Sequence, residues 1–286
     1  MTGTAYIRII KDTSLSIKTT TRPPKRGIAF FDLDGTLLDN RANTIPESTR
    51  RALDLLRPNY YVILSTGRDM DTHYSVRYKG MVQPDAIIHQ NGSKLTIGDE
   101  LLFEHTVDRE LLREIYEFCS ERGFCIGTSI GTEDFFINPA RKAASDRAFL
   151  KAVRRNFVPF EEIFERDIRV TALSYAGDLR AEKEIIEARF PMLELFAFNG
   201  GTGADVVERG FSKAEGMRTM CRHFGIDPTD TYAFGDSPND TALLRAAGVG
   251  IAMGNADEEV KAIADYVTDD VSSDGIYNAC VHFGLI

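Results

Sequence analysis

The chain has 286 residues, of which 43% are hydrophobic and 27% charged, with a formal net charge of −9. That length exceeds one minimal domain and suits one large α/β domain or two smaller ones with an ample core. The acidic balance argues against nucleic acid or an anionic membrane surface as partner; an anionic small substrate stays open if a metal, a lysine or helix N-termini supply positive charge locally.

Residues 1–26 are basic and Thr-rich, lack Glu, and hold no continuous apolar stretch of the signal-peptide kind. They are expected to form a loosely packed extension ahead of the first core strand. "GIAFFDL" (27–33) is an apolar run of the type buried on both faces of a parallel sheet. "TIPESTRRALDLLR" predicts a helix, with Thr44 and Glu47 as a capping box and Ala52, Leu53 and Leu56 at helical spacing. "YYVILSTGR" predicts a second buried strand ending in a small-residue turn at Ser65 to Gly67. A polar helix over Asp69 to Lys79 and the strand "DAIIHQNG" complete a strand-helix-strand-helix-strand rhythm, which means a doubly wound α/β layer.

After Asn91 the texture changes. "SKLTI", "ELLFEHT", "FCIGTSI" and "DFFINP" are short strand-like pieces broken by Gly, Asp and Pro. Helices are expected over Asp108 to Arg122, Arg141 to Asn156 and Asp178 to Phe190, with "IRVTALSYA" and "LELFAF" as strands. These read as an α+β module inserted into the first domain. The α/β rhythm resumes at "ADVVERG", followed by helices over Lys213 to Phe224, Asn239 to Ala247 and Asp257 to Tyr266 and by the strands "TYAFGD" and "VGIAMG". The expected organisation is therefore an extension (1–26), a core in two parts (27–90 and 205–286) and an inserted cap (91–204). Four cysteines, Cys119, Cys125, Cys221 and Cys280, form no CxxC pair and no ligand spacing with histidine. They read as buried small hydrophobes or inert thiols, and with no secretory signal the expected home is the cytoplasm. No run reaches the length needed to cross a bilayer.

In open α/β sheets, sites form beyond the carboxyl ends of the strands, and four suggestive stretches fall at such ends. Asp32 and Asp34 alternate where the first strand runs out into Gly35, so the two can face one site, or one can offer its backbone carbonyl instead. Two neighbouring carboxylates resist ionising together unless a cation joins them. "GDSPND" adds Asp236 and Asp240 from a later strand end, and such convergence predicts a Mg²⁺ site, whose hard-oxygen coordination a phosphate completes. Thr66 offers a hydroxyl and Gly67 an unobstructed backbone N–H for phosphate oxygens, with Ser65 a weaker candidate. Lys213 starts a helix, so its ammonium and the helix's positive end can share one anion. Asn239 is placed to cap its helix, to donate to phosphate, or both. "NGGTG" (199–203) reads as a loop, the histidines as structural or solvated, and Arg141-Lys142 as a solvated helix face.

Taken in order, "DLDGTLLD", "LSTGR", Lys213 in "GFSKAEG" and "GDSPND" resemble the four motifs of the haloacid dehalogenase-like hydrolase superfamily. "HQNGS", "GVGIAMGNADEEVKAIADYVT" and the closing "DGIYNAC" resemble its Cof-type (subfamily IIB) branch of sugar-phosphate phosphatases, with Ala214 departing from the branch's usual Gly after the lysine. The resemblance runs from about Gly27 to the end. It implies a Rossmann-like doubly wound core with an α+β cap inserted after the third strand. It also implies that Asp32 attacks phosphorus to give an aspartyl-phosphate, while Asp34 protonates the leaving alkoxide and later deprotonates the hydrolytic water. Mg²⁺ would rest on the Asp32 carboxylate, the Asp34 backbone carbonyl and Asp236, with Asp240 in support. Thr66, Lys213, Asn239 and the Leu33 backbone N–H would bind the transferring phosphoryl. The expected substrate is a small phosphorylated metabolite, such as a sugar phosphate or a phosphorylated cofactor. A phosphomutase related to phosphomannomutase and a catalytically silent binding protein on the same scaffold are the alternatives. Neither substrate identity nor oligomeric state is legible.

Overall fold

A computed structural model describes residues 25–140, 156–198 and 203–286. The apolar run from Gly27 becomes β1 (Gly27–Phe31), all five residues of which are buried, as expected of a strand covered on both faces. Helix α1 (Glu47–Leu56) buries Thr49, Ala52, Leu53 and Leu56 along one face and leads into β2 (Tyr60–Ser65). A turn and the short α2 (Val76–Val82) reach β3 (Ala86–His89), and a hairpin of β4 (Lys94–Ile97) and β5 (Glu100–Glu104) follows. Next come α3 (Arg109–Arg122), β6 (Cys125–Ile130), β7 (Glu133–Phe136), β8 (Phe157–Pro159) and the single turn α4 (Glu162–Glu165). After these stand β9 (Leu173–Ala176), α5 (Leu179–Arg189), β10 (Leu193–Phe198) and β11 (Gly203–Glu208). The chain closes with α6 (Lys213–Phe224), β12 (Thr231–Gly235), α7 (Thr241–Ala246), β13 (Val249–Ala252), α8 (Glu258–Lys261), β14 (Tyr266–Val267) and α9 (Gly275–His282).

These strands form two sheets. The first has eight strands in the order β14-β13-β12-β1-β2-β3-β4-β5, parallel from β14 to β3 and antiparallel through the hairpin. The order doubles back at β1, whose neighbours are β2 and β12, and that reversal opens the crevice in which doubly wound sheets bind ligands. Its interior is one hydrophobic cluster, in which the Phe31 and Phe234 rings stack at 4.7 Å. The second sheet has six strands in the order β10-β11-β9-β6-β7-β8, antiparallel except between β7 and β8. A separate cluster around Ile115, Phe135, Tyr175 and Phe190 packs it against its helices. The α/β core with an α+β second layer is thus as the sequence led us to expect.

The assignment of strands to layers needs correction at both junctions. "SKLTI" and "ELLFEHT" belong to the first sheet, where β4 pairs with β3 and caps what would otherwise be an open edge. "ADVVERG", read as the return to the core, contains β11, which sits inside the second sheet between β10 and β9. The chain therefore passes between layers after Glu104 and after Glu208. Strand propensity marks a strand but not its pairing partner, which explains both errors.

Smaller differences have local causes. Helix α1 starts after Pro46 with no side-chain cap, because Thr44 is held in a bridge with Asp39, so the predicted capping box does not form. The polar segment from Asp69 stays a turn until Val76, since Asp69 accepts from the Asp71 N–H and from Lys94. The segment from Asn239 begins as a 3-10 turn before α7, and α8 is shorter than expected. The expected helix over Arg141 to Asn156 lies almost wholly outside the described residues, with the Arg141-Lys142 pair, residues 1–24 and all but Gly203 of "NGGTG". Among the described residues no helix is long and apolar enough to cross a membrane.

Candidate active site

Strand register levels the ends of β1 and β12: Phe31 pairs with Phe234, so the residues that follow each strand emerge side by side. After β1 the chain turns sharply, with the Leu33 carbonyl accepting from the Leu37 and Leu38 N–H groups. Gly35 makes that turn possible. Its φ of +84° suits glycine, and a Cβ there would lie 2.3 Å from an Asp236 carboxylate oxygen. Thr36 donates its hydroxyl to Asp236 at 3.1 Å, tying the two strand ends together, and Asn255, beyond β13, donates to the Gly35 carbonyl at 2.8 Å.

Lys213, at the first turn of α6, is 1% exposed and places Nζ 2.6 Å from Asp32 Oδ1 and 2.6 Å from Asp240 Oδ1. The other Asp240 oxygen accepts from the Asp236 and Ser237 N–H groups, both at 3.1 Å. Both Asp240 oxygens are thus engaged by the protein, which suits a supporting part. Oxygens of Asp32, Asp236 and Asp240 lie within 4.8 Å of one another. Burial pushes the Asp32 carboxyl well above its usual range, against the pull of Lys213 and with Asp240 and Asp236 adding to the rise. Burial and then Asp240 push Asp236 up to about 7. Burial alone would depress the Lys213 ammonium, but Asp240 and Asp32 outweigh it and raise its pKa. Three carboxylates share one ammonium, so the cluster is short of positive charge. Its donors are hard oxygens, and a divalent cation such as Mg²⁺ fits both the deficit and the ligand type.

The Asp34 carboxylate stands outside this cluster. Arg68 grips it with two hydrogen bonds, Nε to Oδ2 at 2.6 Å and a terminal nitrogen to Oδ1 at 2.7 Å. Thr66 and Gly67 line a cleft of about 590 Å³ together with Asp32, Asp34 and Asn239. Ser65 does not line it: the residue is fully buried at the end of β2 with its hydroxyl unpartnered. Asn239 donates to Asn91 Oδ1 at 3.1 Å, and Asn91 donates to Asp205 Oδ2 at 2.9 Å, so a relay links the loop after β12 to β11 of the second sheet. Burial is the main cause of an Asp205 carboxyl pushed up to about 6, against the Asn91 hydrogen bond.

The structure therefore brings together Asp32, Asp236, Asp240 and Lys213, with Asp34, Thr66, Gly67 and Asn239 around the same cleft. Arg68, Asn91 and Asp205 had no assigned part in the sequence reading. The one signal for Asp205 was a carboxylate inside an otherwise apolar strand run.

Comparisons with known proteins identify the family. Residues 29–280 match the sequence model of the haloacid dehalogenase-like hydrolases. A phosphoglycolate phosphatase of Methanopyrus kandleri is 43% identical over 254 residues, spanning 87% of this chain and 93% of its own length. The 5-amino-6-(5-phospho-D-ribitylamino)uracil phosphatase YcsE of Bacillus subtilis (strain 168) is 28% identical over 256 residues, 89% of this chain and 94% of its own. The solved structure of the subclass IIB sugar phosphatase BT4131 superposes with a TM-score of 0.79 at 29% identity, covering 91% of this chain and all of that one. The chain belongs to the haloacid dehalogenase-like hydrolase family, as an enzyme of its Cof-type phosphatase branch.

Proposed function

We propose that this protein is a Mg²⁺-dependent phosphatase that hydrolyses small phosphate monoesters through an aspartyl-phosphate on Asp32. The observation that carries the reading is the buried Lys213 ammonium, 2.6 Å from both Asp32 and Asp240 beneath an open cleft. It holds the Asp32 carboxylate oriented and favours its ionised, nucleophilic form in a setting whose burial opposes ionisation. Asp32 attacks phosphorus as the bond to the leaving oxygen breaks, and Asp34 delivers the proton that oxygen needs. A water then attacks the phosphorus of the aspartyl-phosphate, Asp34 takes its proton, and inorganic phosphate leaves. Thr66, Gly67, Asn239, Lys213 and the Leu33 backbone N–H hold the transferring oxygens, a largely electrostatic task. The Asp32 and Asp236 carboxylates and the Asp34 backbone carbonyl would hold Mg²⁺, with Asp240 steadying the loop. Once bound, the ion offsets the carboxylate charge and polarises the phosphoryl group. The relatives are named for different monoesters, so the reading stays at this substrate class.

A phosphate-release screen over a broad set of monoesters with Mg²⁺ tests it. Release that chelation abolishes and Mg²⁺ restores is expected; silence across the whole set would overturn the reading. Thermal melting supplies a test independent of substrate. The Asp236 carboxyl keeps its proton to about pH 7 in the folded state, far longer than in the unfolded chain. Ionising it therefore costs stability as pH rises from about 4 through 7. A cation removes that cost, and protons compete for the same oxygens at low pH. Added Mg²⁺ should raise the melting temperature more at pH 8 than at pH 5.

Asp34→Asn should lower phosphate release from alkyl monoesters by about 10²–10⁴-fold, the usual worth of a positioned proton donor. Release from p-nitrophenyl phosphate should fall much less, because its phenolate leaves without a proton. An equal loss on both substrates would remove the acid role.

A further inference from the structure

Asn91 sits in the 3-10 turn that follows β3 (Gln90–Gly92), 1% exposed and at a φ of +53°, a left-handed setting that asparagine adopts more readily than most side chains. Three hydrogen bonds leave it for three other parts of the site. Its backbone N–H donates to the Thr66 carbonyl at 3.0 Å, its Oδ1 accepts from Asn239 Nδ2 at 3.1 Å, and its Nδ2 donates to Asp205 Oδ2 at 2.9 Å. One buried residue thus joins the turn after β2, the loop after β12 and β11 of the second sheet.

This run of amides has a direction. The Asp205 carboxyl ionises at about pH 6, and above that it accepts hydrogen bonds and donates none. Asn91 must therefore turn its NH₂ group towards Asp205, which leaves its oxygen for Asn239, and Asn239 must answer with its own NH₂. That group carries a second N–H for the cleft, which Asn239 lines. The other end of the Asn239 amide adds no constraint: Oδ1 is buried and, among the described residues, has no hydrogen-bond partner. An amide turned over would set its oxygen against a phosphoryl oxygen, and two acceptors repel. The Asn91 oxygen, itself fixed by the Asp205 charge, is what keeps the NH₂ forward.

Building on the phosphatase reading above, we propose that Asn91 is a positioning residue for phosphoryl transfer, which aims the Asn239 N–H at the transferring group with a polarity that Asp205 sets from the second sheet. Asn91 itself touches no reacting atom. Its backbone bond to Thr66 holds the turn on one side of the phosphoryl, and its side chain holds the amide on the other. Because Asp205 belongs to β11, the seating of the second sheet over the cleft completes the orientation of a group in the first.

Asn91→Gly tests this, since it keeps the left-handed backbone and its N–H for Thr66 and deletes only the amide. With Mg²⁺ at pH 8 it is expected to lower kcat/KM by roughly 10–100-fold, equally for p-nitrophenyl phosphate and glycerol phosphate, because both carry the same phosphoryl group. Inhibition by orthovanadate, a mimic of five-coordinate phosphorus, should weaken by a similar factor. In an Asn239→Ala background the same substitution should cost less than about threefold, because the group it steers is gone. An isosteric pair tests the polarity without opening a cavity. Asn91→Asp alone sets a second carboxylate against Asp205 and should lose roughly tenfold or more. Adding Asp205→Asn lets residue 205 donate to residue 91 while residue 91 still accepts from Asn239, and should restore kcat/KM to within about threefold of the unsubstituted protein. Melting temperatures check that each variant folds, and the isosteric pair decides if Asn91→Gly does not. Unchanged kcat/KM in a folded Asn91→Gly or Asn91→Asp would overturn the proposal. So would losses that multiply in the Asn239→Ala background, or a folded exchange of the pair that recovers nothing. Any of these, beside phosphate release by the unsubstituted protein, ends the positioning role alone, whereas no release from any monoester would end the phosphatase reading and this proposal with it.

Discussion

Asp32→Asn is expected to reduce phosphate release by about 10⁴-fold or more on every substrate, because in the proposed mechanism it removes the carboxylate that bonds to phosphorus. The amide oxygen is a poor nucleophile, and no neighbouring carboxylate can take over. Asp34 is paired with Arg68 and reserved for proton transfer in the proposed mechanism, Asp236 accepts from Thr36 and Ser237, and both Asp240 oxygens are engaged by Lys213 and the Asp236–Ser237 backbone. The substitution is isosteric and lowers the negative charge of a crowded cluster. Thermal stability without metal should therefore hold or rise while activity disappears. Single-turnover assays with quench and mass measurement should show a phosphorylated protein before substitution and none after it. Substantial steady-state turnover by Asp32→Asn would mean that a different group attacks.

Lys213→Met is expected to damage both activity and stability. Its ammonium is the one cation in contact with Asp32 and Asp240 among the described residues, and both partners are buried. Deleting it strands two buried carboxylates. Breaking a buried pair in this way costs about 3–5 kcal/mol, which a shift in the denaturant midpoint at constant slope would report. Lys213→Arg should not rescue, because the planar guanidinium fork does not fit a point charge held 2.6 Å from two oxygens on different elements. The double variant Lys213→Met with Asp240→Asn should regain part of the stability and none of the activity. That pattern separates charge balance, which the pair of changes restores, from phosphoryl binding, which it does not. Near-neutral stability for Lys213→Met at pH 8 would contradict the buried-pair account.

Much of this was legible because local physics dictated it. "GIAFF" has no polar face, so it had to be a covered strand, and β1 is buried throughout. The helix expected over Lys213 to Phe224 is α6 residue for residue; in the structure Ser212 caps its start and Gly225, like Gly35 in its turn, stands at positive φ. The acids were legible as candidates because each follows an apolar strand. Their convergence followed from the strand-end rule, and the matched register of β1 and β12 realises it.

Other features depended on partners far away in the chain. Arg68 reads as a turn residue until Asp34, 34 positions earlier, is found in its grip. The apolar pattern of β11 would serve either sheet, and only its pairing with β9 and β10 turns Asp205 towards the cleft and the Asn91–Asn239 relay. The hairpin β4–β5 likewise looked like cap until the open edge of β3 claimed it. By itself the sequence determined most strands and helices of the described residues, the acids and the lysine that stand at strand ends, and the family, since these rest on short-range pattern and residue type. Tertiary structure alone decided which sheet each short strand joined and which charges stand face to face, because strand pairing and side-chain juxtaposition are set by long-range packing that no local stretch encodes.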